Sequence, residues 1–357
     1  MMNGSEPKKA APGGDTLQAM IATDKSALFT DSTRATYAQA LIDLIDKGRP
    51  VVLVEADLMK SAGTAPVQQR YPERVIDVGV AEQNAVGIAA GLADMGLIPF
   101  VDTFCVLLSR RCADQVWMAV AFSNMNVKLY GLYSGFTTGT NGPTHQSLED
   151  LAIFRSFPNM VIVEPADCKE LREAVRAAAS YVGPVYIRSV RGDLPGILQE
   201  NEPDFEIGKA ALLRPGDDVT LIASGIMVPV ALQAAEELAA QGVEARVVNA
   251  RSIKPLDEDM VLRCARETGA VVTVEDHGVI GGLGGAVAEY LSEVLPTPLK
   301  RIGVRDQFGD AGTFEWLIQK YGMDVPLIVA AAKHVISMKI SSQGGPRNES
   351  SGTASSR

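Results

Sequence analysis

Cysteine is scarce in this chain and carries no pattern. Cys105, Cys112, Cys168 and Cys264 form no CxxC pair and no metal-ligand spacing, which predicts reduced thiols in a cytosolic protein. Positive charge is also in deficit: 33 Lys and Arg face 43 Asp and Glu, a net charge of −10. General affinity for nucleic acid or an anionic membrane is thereby excluded, and any bound anion must be met by a local basic cluster. No apolar run approaches the ~20 residues of a membrane span. The segment 1–15 is polar, rich in Pro and Gly, and lacks the apolar core of a secretory signal. These absences together predict a cytoplasmic location. A dinucleotide fingerprint is missing too: the run Gly281 to Gly285 opens a helix but lacks the G-x-G-x-x-G spacing at the first strand-to-helix turn.

What is present reads as a well-buried α/β protein of roughly two or three domains, with 46% hydrophobic and 21% charged residues and a mean hydropathy of +0.09. Strands are predicted at 51–55, 75–78, 98–101, 127–131, 160–163 and 185–188, alternating with helices at 34–45, 82–95, 104–121, 147–155 and 168–181. Strand–helix alternation predicts a mostly parallel sheet covered on both faces. A Pro-, Gly- and acid-rich stretch follows, and then a second α/β unit with strands at 219–224, 245–249, 271–275 and 299–304 and helices at 229–240, 257–268 and 284–293. The predicted organisation is a flexible segment 1–24, a first domain 25–192, a linker 193–217, a second domain 218–337 and a disordered tail 338–357.

The most informative stretch is "DVGVAEQNAVGIAAGLA", residues 77–93. It places one carboxylate, Glu82, between an apolar strand and a small-residue helix. Such an acid either stabilises the helix dipole or serves chemistry. Elsewhere, His145 follows a Gly-rich loop in "GPTHQ", and Arg188 and Arg191 end the sixth predicted strand, where parallel sheets form ligand crevices. Guanidinium forks at such an edge suit phosphate or sulfonate oxygens. His277, in "EDHGVIGG", and His334, in the terminal helix, have weaker claims.

The strings "EADLMKS", "DVGVAEQNAVGIAAGLA", "FVDTF", "NGPTHQSLEDLAIFRSFPNMVIVEPAD", "GPVYIRSVRG" and "VEDHGVIGGLGGAV" occur in an order that resembles the C-terminal half of a transketolase, over roughly 33–333. The resemblance implies two consecutive α/β domains with mostly parallel sheets, a pyrimidine-binding domain followed by a transketolase C-terminal domain. It also implies thiamine diphosphate as cofactor. Glu82 matches the cofactor-activating glutamate, Phe104 an aromatic on the aminopyrimidine, and Leu107 stands where many relatives carry a second aromatic; Asp57 joins this cofactor set. Arg34 and Ser61 match sugar-phosphate binding positions, His145 a sugar-contacting histidine, and "R-x-x-R-G" at Arg188 and Arg191 resembles the deoxyxylulose-phosphate synthases. Arg111 lies in an R-x-x-x-Q string of split relatives, where a structural role is implied.

The family holds its cofactor diphosphate through a divalent ion, usually at a Gly-Asp-Gly signature. None occurs here; the nearest strings are Pro215-Gly216-Asp217-Asp218 and Gly309-Asp310-Ala311. The chain therefore resembles the smaller subunit of a split transketolase. It is expected to contribute no metal ligand and to depend on a separate N-terminal-half chain, as an α2β2 heterotetramer that also self-associates through the two domains. That partner would bring Mg²⁺ or Ca²⁺. The expected activity is transfer of a two-carbon ketol unit from an anionic ketose, such as a sugar phosphate, to an aldose. Tyr133 stands where a histidine is usual and Asn141 where an aspartate is usual, which implies an altered sugar preference. A 2-oxo-acid dehydrogenase β subunit shares the two-domain plan, and the "GPTHQ" loop and the Asn after "AEQ" favour transketolase over it; a non-catalytic regulatory partner would keep the fold, and the presence of Glu82 and His145 argues against that.

Overall fold

The structure, a computed structural model, describes residues 30–197 and 205–343. The predicted flexible segment 1–24 and residues 344–357 of the predicted tail lie outside them. Fourteen strands are present among the described residues: β1 Thr30–Ser32, β2 Val51–Glu55, β3 Val75–Asp77, β4 Ile98–Phe104, β5 Lys128–Leu132, β6 Val161–Val163, β7 Val185–Arg188, β8 Asp193–Pro195, β9 Ala211–Arg214, β10 Val219–Ala223, β11 Ala245–Asn249, β12 Ser252–Lys254, β13 Val271–Gly278 and β14 Leu299–Val304.

The central strands of both domains are continuously buried, mostly apolar runs rather than alternating ones. Every residue of β2, β5, β10 and β11 is buried, the pattern expected of parallel strands covered on both faces. The first sheet has the order β12-β6-β7-β5-β4-β2-β3 and is parallel except for β12. The second has the order β14-β13-β10-β11-β9 and is parallel except for β9. Covering helices start where the sequence supplies a cap. Asp167 accepts from the Glu170 N–H at 2.8 Å to open Cys168–Ser180, and Asp257 accepts from the Met260 N–H at 3.1 Å to open Glu258–Thr268, which Gly269 ends in the left-handed region. The two α/β units are the expected fold.

The boundary between the units departs from the prediction. The stretch 193–217 is not a plain linker: β8 pairs antiparallel with β1, and β9 adds to β11 as an edge of the second sheet. Strand β12 leaves the second unit and pairs antiparallel with β6. One apolar cluster contains Val101 and Leu108 from the first unit together with Ile222, Val248 and Leu283 from the second, so the seam is a continuation of the core. At the C-terminal end the helix Val325–Gln343 includes 338–343, which the sequence reading assigned to a disordered tail. The segment predicted as one helix over 104–121 is split. β4 runs through Phe104, and wide π-type turns at Leu107–Arg111 and Val116–Phe122 follow, a device that often marks functional positions. None of the helices described is long and apolar enough to cross a membrane.

Candidate active site

All of the predicted site residues of the first unit lie at or just beyond the C-terminal ends of β2, β3, β4, β5 and β7, or on elements tied to those ends. Glu82 opens the helix Glu82–Asp94 directly after the β3 loop and is only 3% exposed. Both of its carboxylate oxygens accept from Arg111 Nη1 at 2.8 Å, and the Arg111 side chain is 48% exposed. The Gln83 amide donates to the Arg111 carbonyl at 2.9 Å, which fixes the loop around this pair. The Cys112 thiol is pushed up to about 12 by burial and by the Glu82 charge, so it is no nucleophile at neutral pH. Arg111, read from sequence as structural, is thus the direct partner of the most informative acid.

An aromatic cluster forms at the ends of the neighbouring strands. The half-buried Phe104 stacks on Tyr133, with ring centroids 4.7 Å apart and planes 21° apart, and its ring lies 6.1 Å from that of His145. Tyr133 holds a left-handed backbone, φ +61°, unusual for a bulky residue. The Arg191 guanidinium sits over the Tyr133 ring at 5.0 Å, donates to the Thr138 carbonyl at 3.0 Å and approaches Asn141 Oδ1 at 3.4 Å. The structure therefore brings Phe104, Tyr133, Asn141, His145 and Arg191 into one group, with Leu107 half-buried one turn beyond Phe104. His145 is held by its own loop, its N–H donating to Gly142 and its Nδ1 lying 3.0 Å from the Thr144 hydroxyl.

Arg34 and the turn after Ser61 come together by another route. The Thr33 hydroxyl donates to the Gly192 carbonyl at 2.7 Å, which sets the exposed Arg34 beside the Arg191 segment. Gly63, two residues past Ser61, packs so closely that a Cβ there would lie 2.6 Å from the Arg34 Cβ. Asp57, at the end of β2, has φ +58°, and its N–H donates to Asp77 Oδ1, which also accepts from Gly79 on the way to Glu82. Next to it, Glu55 and Asp102 lie opposite each other in register, both buried. Burial and the neighbouring Glu55 carboxylate hold Asp102 well above the usual carboxylate range.

Arg188 is the clear correction. Its side chain is 0% exposed. Nε donates to Asp150 at 2.8 Å, Nη1 donates to Glu164, and Nη2 donates to the carbonyls of Ser147 and Asp276 at 3.1 and 2.9 Å. No face of the guanidinium is left for a substrate anion, and Arg188 leaves the binding set. Burial opposes the Asp150 charge, but Arg188 outweighs it and holds the carboxyl below its ordinary value. His277 is buried at the same seam and pushed down to about 4 by burial, so it is neutral at pH 7 and its 3.8 Å approach to Asp150 is not an ion pair. His334 is on the surface of the terminal helix. The Gly281 to Gly285 turn is filled by the chain itself: Glu275 accepts from the Leu283 and Gly284 N–H groups at 2.7 and 2.9 Å. Among the described residues, no group of three or more His, Cys, Asp and Glu could hold a metal ion.

Sequence reasoning missed Asp150, Glu164 and Asp276, because each acts across long chain separations. The only trace was acid at strand ends, in "VIVEP" for Glu164 and "VEDHG" for Asp276.

Comparison with known proteins identifies the family of the whole chain. The family described as "Transketolase, pyrimidine binding domain" matches residues 30–196, and "Transketolase, C-terminal domain" matches 208–328. The 6-deoxy-6-sulfo-D-fructose transketolase subunit of Clostridium sp. strain MSTE9 is 49% identical over 306 residues, covering 86% of this chain and 95% of the relative. A subunit of the apulose-4-phosphate transketolase of Phocaeicola vulgatus is 38% identical, covering 82% of this chain and 93% of the relative. Among solved structures, a split-gene transketolase described as an inactive beta4 tetramer superposes with a TM-score of 0.81 at 42% identity, covering 86% of this chain and 99% of that one. The chain belongs to the transketolase family and corresponds to its C-terminal half, the part carried by the small subunits of split transketolases.

Proposed function

We propose that this chain works with a separate diphosphate-binding chain as a thiamine-diphosphate-dependent transketolase that moves a two-carbon ketol unit from an anionic ketose to an aldose. The observation that carries the reading is the buried Glu82 carboxylate at a strand edge that also presents the half-buried Phe104 and Leu107. A flat aminopyrimidine needs a carboxylate at a ring nitrogen and an apolar plate against its face, and this edge has both. When bound, the cofactor supplies the carbon nucleophile and stores the electron pair of the transferred unit. Glu82 hydrogen-bonds the pyrimidine ring nitrogen and shares its proton there, which requires Arg111 to give up part of its hold on the carboxylate. Phe104 and Leu107 keep water from the ring. His145 donates to, or takes a proton from, a sugar hydroxyl. Arg191 and Arg34, with Ser61, receive the anionic end of the sugar, Arg191 being aimed by Thr138, Asn141 and the Tyr133 ring.

Tyr133 and Asn141 bear on which sugar is used. An aspartate and an imidazole have been replaced in the group that contacts the polyol, so the preferred ketose is not xylulose 5-phosphate. The relatives are named for a sulfonated and a branched sugar, which makes such ketoses the first candidates. The partner supplies the diphosphate and divalent-ion site, and the two chains assemble as α2β2. The deciding experiment mixes this chain with the diphosphate-domain chain of the same host, thiamine diphosphate and Mg²⁺, and follows ketol transfer from phosphorylated, sulfonated and branched ketoses. Ketol transfer that needs both chains supports the reading. Absence of transfer from the mixture removes it, and highest kcat/KM on ordinary pentose phosphates removes the substrate part.

A further inference from the structure

None of the candidate ligand residues lies in the second unit, yet that unit grips the loop that carries several of them. Asp276, at the end of β13, is 1% exposed, and both of its carboxylate oxygens accept from the Phe136 N–H, at 3.0 and 3.1 Å. The loop is pressed onto this carboxylate: at Gly135, φ +48°, a Cβ would fall 2.2 Å from the Asp276 side chain. The Gly135 N–H donates to the Ser147 carbonyl at 3.1 Å and closes the base of the loop. Arg188 then links the Ser147 carbonyl to the Asp276 carbonyl. Farther along, Gln146 donates to the Asp310 carbonyl at 2.8 Å, and the Phe136 ring packs on Tyr321 at 4.8 Å. Between these anchors lie Thr138, Asn141 and His145, and the Thr138 carbonyl aims Arg191.

We propose that Asp276 is a positioning residue for sugar transfer: reaching across the domain seam, it holds loop 135–147 in the form that presents Asn141, His145 and the carbonyl that aims Arg191. The proposal rests on the functional reading above. It gives the second unit a task in the reaction, exerted at the base of the loop through a buried acceptor, with the Asp310 carbonyl and the Tyr321 ring holding the loop farther along. A loop that loses its anchor samples other conformations, and a misplacement of about 1 Å at a binding group is enough to cost ~10²-fold in rate.

The test uses the full chain carrying Asp276→Ala, Asp276→Asn or Gly135→Ala. Amide hydrogen exchange is read on peptides covering 135–147, and ketose KM, kcat and thiamine diphosphate affinity are read in the reconstituted pair. In Asp276→Ala the loop amides should exchange about tenfold faster, as expected for a local opening that leaves the core intact, while β4 and β5 keep their protection. Ketose KM should rise about tenfold with cofactor affinity within about twofold. Asp276→Asn retains an acceptor for the Phe136 N–H and should restore most of both. Unchanged loop protection in Asp276→Ala, or faster loop exchange with unchanged KM, overturns the proposal. If Asp276→Ala also loses protection in β4 and β5, Gly135→Ala decides, since it drives a methyl against the same carboxylate: a normal KM there overturns the proposal. Failure of the wild-type pair to transfer a ketol unit would sink the functional reading, whereas the exchange data would still decide whether Asp276 holds the loop.

Discussion

The two units are built on the same plan, but they use the same edge of their sheets in opposite ways. At the C-terminal edge of the first sheet Phe104, His145 and Leu107 are half-buried and Asn141, Arg191 and Arg34 are exposed, so chemistry-bearing groups meet solvent. At the corresponding edge of the second sheet Glu275, Asp276, His277, Ser224 and Asn249 are all buried and bonded within the chain, Glu275 to a helix start, Asp276 to Phe136 and Ser224 to Glu164. A strand edge that collects polar residues becomes a ligand crevice only when nothing else satisfies them. In the second unit the chain itself takes them up, Glu275 within its own unit and Asp276 and Ser224 against the first unit, and the edge becomes a polar seam.

If that contrast is right, substitutions at the open edge should damage turnover and spare stability, and those at the closed edge should do the reverse or act through position. The largest effect is expected for Glu82→Gln. The amide keeps the size but cannot share the proton, so kcat of the reconstituted pair should fall by ~10²–10⁴ with an unchanged denaturation midpoint. Residual turnover above about a tenth of wild type would take Glu82 out of its role.

Arg188→Ala probes the seam. It strips the partner from the buried Asp150 and Glu164 carboxylates, and breaking such a pair costs ~3–5 kcal/mol. Urea denaturation should show that loss; a variant of native stability that had lost only ketose affinity would return Arg188 to the binding set. Arg191→Ala should leave stability alone and raise KM for an anionic ketose by roughly ten- to a hundredfold, the weight of one charge-assisted hydrogen bond or two. An uncharged ketose assayed in parallel should be little affected, and equal losses on both would contradict anion binding.

The smallest effect is a pH dependence of stability. Burial pushes Glu170, Glu275 and Asp276 each up to about 7. These carboxyls bind protons in the folded chain that the unfolded chain has released. Their stabilisation is complete below the ordinary carboxyl range and is lost as pH rises through 7. Asp102 and Glu55, both raised by burial, act in the same direction, and His277, pushed down to about 4, works the other way between 4 and 6.5 as one group against five. Lys128, pushed down to about 7 by burial, acts only above that value. Tm should therefore fall by several degrees between pH 5 and 7.5, and the slope should flatten in Asp276→Asn. A Tm that rises over this interval would show that the seam carboxylates ionise freely.

Much of the fold was legible because parallel strands buried on both faces leave mostly apolar runs, and because Asp167, Asp257 and Gly269 mark helix limits locally. Phe104, Tyr133 and Asn141 were visible through the resemblance to the transketolases, and His145 and Arg191 also through their places after a Gly-rich loop and a strand. Arg188 and Arg191 show where sequence reading stops. They stand three residues apart in one motif, but Arg188 is the last residue inside β7 and points into the seam, while Arg191 lies past the strand and is exposed. Nothing local distinguishes a guanidinium with two buried carboxylates from one with none. The short strands β9 and β12 were missed for the same reason: "ALLR" and "SIK" carry little pattern, and they are strands because of what they pair with.

Strand β12 has a practical consequence for anyone who cuts this protein into pieces. It belongs to the second unit in chain order, but it shields the flank of β6. A fragment ending before 208 would expose the backbone donors and acceptors of β6 to any passing chain, an invitation to edge-to-edge aggregation. The first unit is thus not a portable cassette, and grafting it onto a foreign C-terminal module requires that the graft bring its own strand to that flank.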